Sequence, residues 1–278
     1  MIIDVHTHIF PPEVRARRDD YIRKDRTFAE IYSNPKAKIA GAEELLRSME
    51  SAEVDVSVAL GFAWRDPDDC RRHNDYLLES AAKSGGRILA FCNVNASFSQ
   101  EALGEVERCV RGGARGIGEL RPQSQDYHLE GEPAELLATV ARQHQLLLLF
   151  HVTEPVGRDY AGKEGLPMSE FLRFAQANPD LRIIGAHLAG GLPLLAFKKE
   201  IGPVVKALSF DTAAVPFSYE PDVYEQVAAM AGDKGLLFGS DFPLITQHRQ
   251  MVAIRESGLT AAQQEAVMGE NARRLVFS

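Results

Sequence analysis

Eight short apolar runs recur along the 278-residue chain, each followed by a stretch of helical periodicity. This alternation limits the fold more than any other feature. The runs fall near residues 2–6, 54–60, 87–93, 114–119, 146–151, 181–186, 207–211 and 235–240, with helical patterns at 42–52, 69–83, 100–111, 133–143, 169–178 and 221–231. Strand alternating with helix implies parallel strands joined by right-handed crossovers. Most runs are apolar almost throughout, as strands covered on both faces should be. Eight evenly spaced units predict an α/β chain forming one (β/α)8 TIM barrel, a single domain over 1–278. No GxGxxG follows the first run, which removes the main argument for a dinucleotide-binding sheet. Residues 9–40 read as a long loop after strand 1, and 260–278 as extra closing helices. Ser99 is expected just ahead of its helix, with Pro133 and Pro221 at first helical positions.

Composition sets the outer limits. Hydrophobic residues make up 45% and charged residues 25%, the balance of an ordinary globular protein. No apolar stretch approaches the roughly 20 residues that span a bilayer. Cys70, Cys92 and Cys109 lack metal-type spacing, and no basic-then-apolar leader precedes the first run. Both point to reduced thiols and a cytoplasmic protein. A net charge of -8 argues against nucleic-acid binding, which depends on neutralising phosphates. That charge is uneven: residues 11–40 carry +3, so the remainder carries -11.

Barrel enzymes place their chemistry at the C-terminal ends of the strands. Here strand 1 ends in His6 and His8, spaced i and i+2 so that both project from one face. Strand 4 ends in Glu119, strand 5 in His151, strand 6 in His187 and strand 8 in Asp241. Singly, each has a structural reading: a hydrogen-bonded core histidine, a cap before Pro243, a Glu119 pair with Arg121 or Arg115. Together, unpaired histidines and carboxylates around one mouth would be costly without a cation.

The His-x-His pair, with His, His and Asp ending strands 5, 6 and 8, resembles the amidohydrolase superfamily. Ile3-Asp4-Val5-His6-Thr7-His8-Ile9-Phe10-Pro11-Pro12-Glu13, Gly239-Ser240-Asp241-Phe242-Pro243 and Gly269-Glu270-Asn271-Ala272-Arg273-Arg274-Leu275 resemble its amidohydrolase-related branch, which includes the aminocarboxymuconate semialdehyde decarboxylase type. The resemblance covers the whole chain. It implies a divalent metal, usually zinc, held by His6, His8, His151 and Asp241, with His187 beside it as acid/base or electrophile. The strand-4 lysine of binuclear members is replaced by Glu119. A strand-4 glutamate also resembles the TatD-type hydrolases, where it bridges two ions, so one ion or two stays open. Dimers are common among similar barrels, so a homodimer is admitted, though no self-complementary surface is legible.

A metal-bound water near neutrality would serve hydrolysis, with Asp241 accepting its proton and His187 polarising the substrate or protonating the leaving group. The leading expectation is cleavage of an ester, lactone or amide bond. The alternatives are nonoxidative decarboxylation or hydration of a small organic acid, a TatD-like nuclease, and a non-catalytic binding barrel. The basic 9–40 segment suggests a small, carboxylate-bearing substrate, with Arg26 and Lys24 as contacts. Arg158, Tyr160 and Lys163 in the strand-5 loop, and Trp64 with Arg65 after strand 2, are further candidates. Asp211 is expected to serve structural hydrogen bonding, Cys92 barrel packing, and His73, His128, His144 and His248 to face solvent.

Overall fold

The computed structural model describes residues 1–232 and 235–277. Asp233, Lys234 and Ser278, within the expected single-domain span, lie outside the described residues. Eight strands, β1 (Ile3–His8), β2 (Val56–Leu60), β3 (Ile88–Cys92), β4 (Gly116–Leu120), β5 (Leu147–His151), β6 (Ile183–Ala186), β7 (Ser209–Asp211) and β8 (Leu236–Leu237), form one sheet in sequence order. Each pairs in parallel with the next. Strand 8 is shorter than its apolar run, yet its extension closes the ring. The Val5 N–H donates to the Phe238 carbonyl at 2.9 Å, and the Asp241 N–H to the His6 carbonyl at 2.9 Å. The result is a (β/α)8 barrel.

Alternation along the strands builds two layers. Leu147 and Leu149 join Ile3, Val5, Val58 and Leu237 inside the barrel. Leu148 and Phe150 pack instead with Leu45, Leu137 and Phe171 between sheet and helices. β1 breaks this rhythm, shifting register against β2 between Asp4 and Thr7. Asp4 turns to Ser240 and Gln247, while His6, two residues on, turns to Asp211. Strict period-two reasoning would have placed both side chains together.

Residues 9–40 are not a loop. They fold into α1 (Pro12–Ala16), α2 (Arg18–Lys24) and α3 (Arg26–Tyr32). Pro12 opens the first, and Asp25 caps the third by accepting from the Phe28 N–H at 2.8 Å. Val14, Tyr21, Phe28 and Tyr32 bury against Phe10, Phe62 and Trp64, a satellite core that fixes the segment over one side of the barrel mouth. Helix 42–52 lies where its periodicity puts it, whereas Ser99 is the first residue of its helix, Pro133 the third, and Pro221 precedes Val223–Ala231. The tail is helical over 261–276. Among the described residues, no helix is long and apolar enough to cross a membrane.

Candidate metal centre

His6 is fully buried, and its Nδ1 lies 2.8 Å from Asp211 Oδ2. With that nitrogen donating to the carboxylate, a neutral ring presents its lone pair at Nε2. Nε2 faces His8 Nε2 at 3.1 Å, and Asp241 Oδ1 stands 3.8 Å from the first and 3.5 Å from the second. Tetrahedral bonds of the usual length for zinc set ligand atoms about 3.4 Å apart. The three donors bracket that spacing, so the residues fit a divalent ion.

Glu119 stands at the same spacing, with Oε1 3.8 Å from His6 Nε2 and Oε2 3.6 Å from His8 Nε2. A second group of mutually close donors, His6, Glu119 and His187, overlaps the first at His6. His151 reaches the mouth as expected but belongs to neither group among the described residues. Its Nδ1 meets Glu119 Oε1 at 2.7 Å and His187 Nε2 at 3.1 Å. Glu119, one of the residues expected at the metal, thus stands at ligand spacing, with His151 hydrogen-bonded to it.

The backbone supports this convergence. Asp241 and His187 both adopt left-handed φ values, +62° and +55°, turning their side chains sideways off the strand ends. Non-glycine residues there are uncommon and cluster at functional sites. Gly239 makes room behind them, since a Cβ on it would lie 2.9 Å from His6 Cβ and 3.1 Å from Asp211 Cβ.

The electrostatics follow from burial and crowding. Burial alone would lower the His6 pKa, but the Asp211 charge and hydrogen bond, with Glu119 and Asp241, lift it to about 10. Burial lowers His8, and burial with the Arg121 charge takes His151 to about 4. Glu119 is held well below the carboxylate range: burial opposes this, but His151 and His187 outweigh it. A nest of histidines and ionised carboxylates this tight is what a cation would neutralise.

The centre opens into a cavity of about 400 Å³, within the usual range for small-ligand sites. Its walls include Tyr32, Phe62, Phe217 and Leu244, with Lys38, Arg121 and Arg158 among them. Arg158 and Tyr160 line it as expected.

Other expected contacts lie elsewhere. Trp64, 1% exposed, is in the satellite core with its Nε1 on His73 Nδ1 at 3.1 Å. Arg26, with its side chain 70% exposed, reaches the Gln123 carbonyl and Asp126. Lys24 pairs with Asp66 and Asp69, and Arg65 with Asp126. Lys163 bonds Asp159 and the Gly157 carbonyl. Each of these cations had a nearer partner than the cavity. His73 is buried rather than solvent-facing, because helix Pro67–Lys83 turns it inward. Asp211 does serve hydrogen bonding, to His6 and to the His187 N–H. Arg121, missed as a cavity residue, follows Glu119 by two positions, the same-face spacing that singled out the His6–His8 pair.

The sequence matches the amidohydrolase family (Amidohydro_2) over residues 3–277. No match is found among the curated proteins. Among solved structures, the chain is similar to 5-carboxyvanillate decarboxylase from Sphingomonas paucimobilis, with TM-score 0.82 and 16% identity over 99% of this chain and 98% of that one. It is also similar to 2,6-dihydroxybenzoate decarboxylase from Rhizobium, with TM-score 0.77 and 16% identity over 99% and 98%. A third likeness is to 5-carboxyvanillate decarboxylase from Novosphingobium aromaticivorans, complexed with manganese and 4-hydroxy-3-methoxy-5-nitrobenzoic acid, with TM-score 0.82 and 15% identity over 100% and 96%. At these identities the likeness establishes the barrel, while the sequence match establishes the family. The chain is a member of the amidohydrolase family, an enzyme built around a divalent metal site.

Proposed function

We propose that this enzyme is a nonoxidative decarboxylase of a small aromatic carboxylate, in place of the hydrolase expected first. The observation that carries the reading is the cavity: aromatic and aliphatic walls suited to a flat ring, with cations set among them, opening onto the metal centre. The solved structures named above, decarboxylases of hydroxylated aromatic acids, support the same chemistry.

The proposed ion is zinc or manganese, and His6, His8, Asp241 and Glu119 would hold it. A single ion is favoured because both donor groups need His6 Nε2, and its other nitrogen is committed to Asp211. When bound, the ion supplies positive charge that orients the substrate's oxygens and stabilises charge developing on them.

His187 is the proposed proton donor. Its Nδ1 lies 3.0 Å from the Ala213 carbonyl, so that nitrogen carries a proton. Its Nε2 lies 3.2 Å from Glu119 Oε1, an acceptor that favours a second proton there. The carbon–carboxyl bond breaks, its electron pair stays on the ring carbon, and carbon dioxide leaves. The ring carbon takes the proton from His187 Nε2, and solvent restores it. Tyr32 and Phe62 keep water from the ring, while Arg158 and Tyr160 contact the substrate's outer edge.

The test is a panel of hydroxylated benzoic acids, with 2,6-dihydroxybenzoate and 5-carboxyvanillate included, offered to zinc- and manganese-loaded enzyme. Carbon dioxide release that chelator abolishes is the expected result. Hydrolysis of lactones or amides with no carbon dioxide from any acid would overturn the reading.

A further inference from the structure

Arg121 is 3% exposed, yet it lines the cavity that holds the metal centre. Among the described residues it forms no ion pair. Glu119, two residues before it, is engaged by His151 and His187. Arg121 Nη2 donates to the Gly162 carbonyl at 3.1 Å and to the Glu164 carbonyl, pinning the guanidinium to the loop after β5. Its Nε is buried with no hydrogen-bond partner. Lys38 and Arg158, the other cations of the cavity, are exposed. A buried guanidinium without an ion-pair partner is costly.

From this we infer that Arg121 is an anion subsite, and that it holds a carboxylate the substrate keeps rather than the one it loses. The inference rests on the decarboxylase reading for its second half. A cation gripping the departing carboxylate would stabilise the ground state and lose its partner as neutral carbon dioxide forms, which slows the step. Gripping a second anion costs nothing in the transition state and fixes the ring against the metal centre. The substrate class is therefore an aromatic acid bearing two anionic groups, and the product still carries one. With Nη2 committed to two carbonyls, it is the guanidinium's charge, with Nε still unpartnered, that favours a carboxylate over a neutral hydroxyl.

The probes are benzoate and isophthalate, which share a ring and one carboxylate and differ by the second. Their dissociation constants are measured by calorimetric titration of the metal-loaded enzyme, with metal content checked in every variant. Wild type should prefer isophthalate by roughly tenfold to a hundredfold, the range of a charge-assisted contact. Arg121→Met should abolish that preference while benzoate affinity holds, and Arg121→Lys should keep part of it. Loosening of the loop would weaken both probes together, so the ratio isolates the subsite from a structural role. No preference in wild type, or an unchanged ratio in Arg121→Met, overturns the inference. Carbon dioxide release is read separately. Its absence with the ratio intact removes the decarboxylase reading and leaves the anion subsite standing.

Discussion

Protonating His73 should destabilise the wall of the cavity, and the cost can be worked from geometry. Its Nε2 donates to the Ile9 carbonyl at 2.7 Å, so the neutral ring carries its lone pair on Nδ1. That lone pair accepts from the Phe62 N–H at 3.2 Å and the Trp64 Nε1–H at 3.1 Å. The ring also stacks on Phe10, centroids 5.0 Å apart. A second proton would turn the shared acceptor into a donor aimed at two donors. Burial lowers the pKa from 6.5 to about 4, the Ile9 bond opposing this and the His8 charge adding to it. The unfolded chain therefore binds the proton first as pH falls. The stability His73 confers is complete above about pH 6.5 and drains away between that value and about 4. Linkage puts the loss at about 2 kcal/mol by pH 5 and about 3 kcal/mol by pH 4. His73→Asn keeps an acceptor oxygen near the Nδ1 position and cannot titrate. Urea unfolding of both proteins at pH 7.5 and pH 5 isolates the effect from carboxylates that titrate in each. Wild type should lose about 2 kcal/mol more than the variant. Parallel losses would refute the argument, because they would mean that His73 changes its proton binding no more than a solvated histidine on unfolding.

The remaining predictions concern the metal centre. Asp241→Asn should abolish turnover and release metal while leaving the far-ultraviolet circular dichroism unchanged, and near-normal turnover would remove Asp241 from the site. Asp211→Asn should weaken metal binding by roughly tenfold to a hundredfold, since it loses the acceptor that holds the His6 ring; competition with a chromogenic chelator reads this directly. Gly239→Ala should also lower metal affinity, because the new methyl meets His6 Cβ at 2.9 Å and Asp211 Cβ at 3.1 Å. Unaltered metal content in that variant would show that the strand relaxes freely. Elemental analysis should find one equivalent of metal per chain, and two would show that Glu119 and His187 complete a separate site.

What was legible in the sequence, and what was not, divides along one physical line. Strands buried on both faces must be apolar, so a polar residue at the end of one stands out, and His6, His8, Glu119, His151, His187 and Asp241 were all found this way. Their convergence then follows from barrel closure. Residues whose role lies in whom they meet leave no such mark. A helix over 69–83 was visible from its periodicity, but that its His73 turns inward depends on Ile9 and Phe62, from two other elements. The short helices of 9–40 carry mixed charge and few apolar positions each, so their periodicity is weak. Their aromatic side chains find a core only with Phe62 and Trp64.

The register shift of β1 has the same origin and the largest consequence. Asp4 is buried and accepts from the His6 N–H at 3.1 Å, the Ser240 N–H at 3.0 Å, the Ser240 hydroxyl at 2.6 Å and Gln247 Nε2 at 2.9 Å. One carboxylate thus ties the strand that carries His6 and His8 to the turn that carries Asp241. Burial lifts its pKa to about 6, with those four donors working the other way. A local pattern of alternating residues cannot encode this, because three of the four donors come from residues more than 230 positions away. The candidate metal ligands advertise themselves by residue type, whereas the bonds that aim them are a property of the closed ring and come into being only when the last strand meets the first.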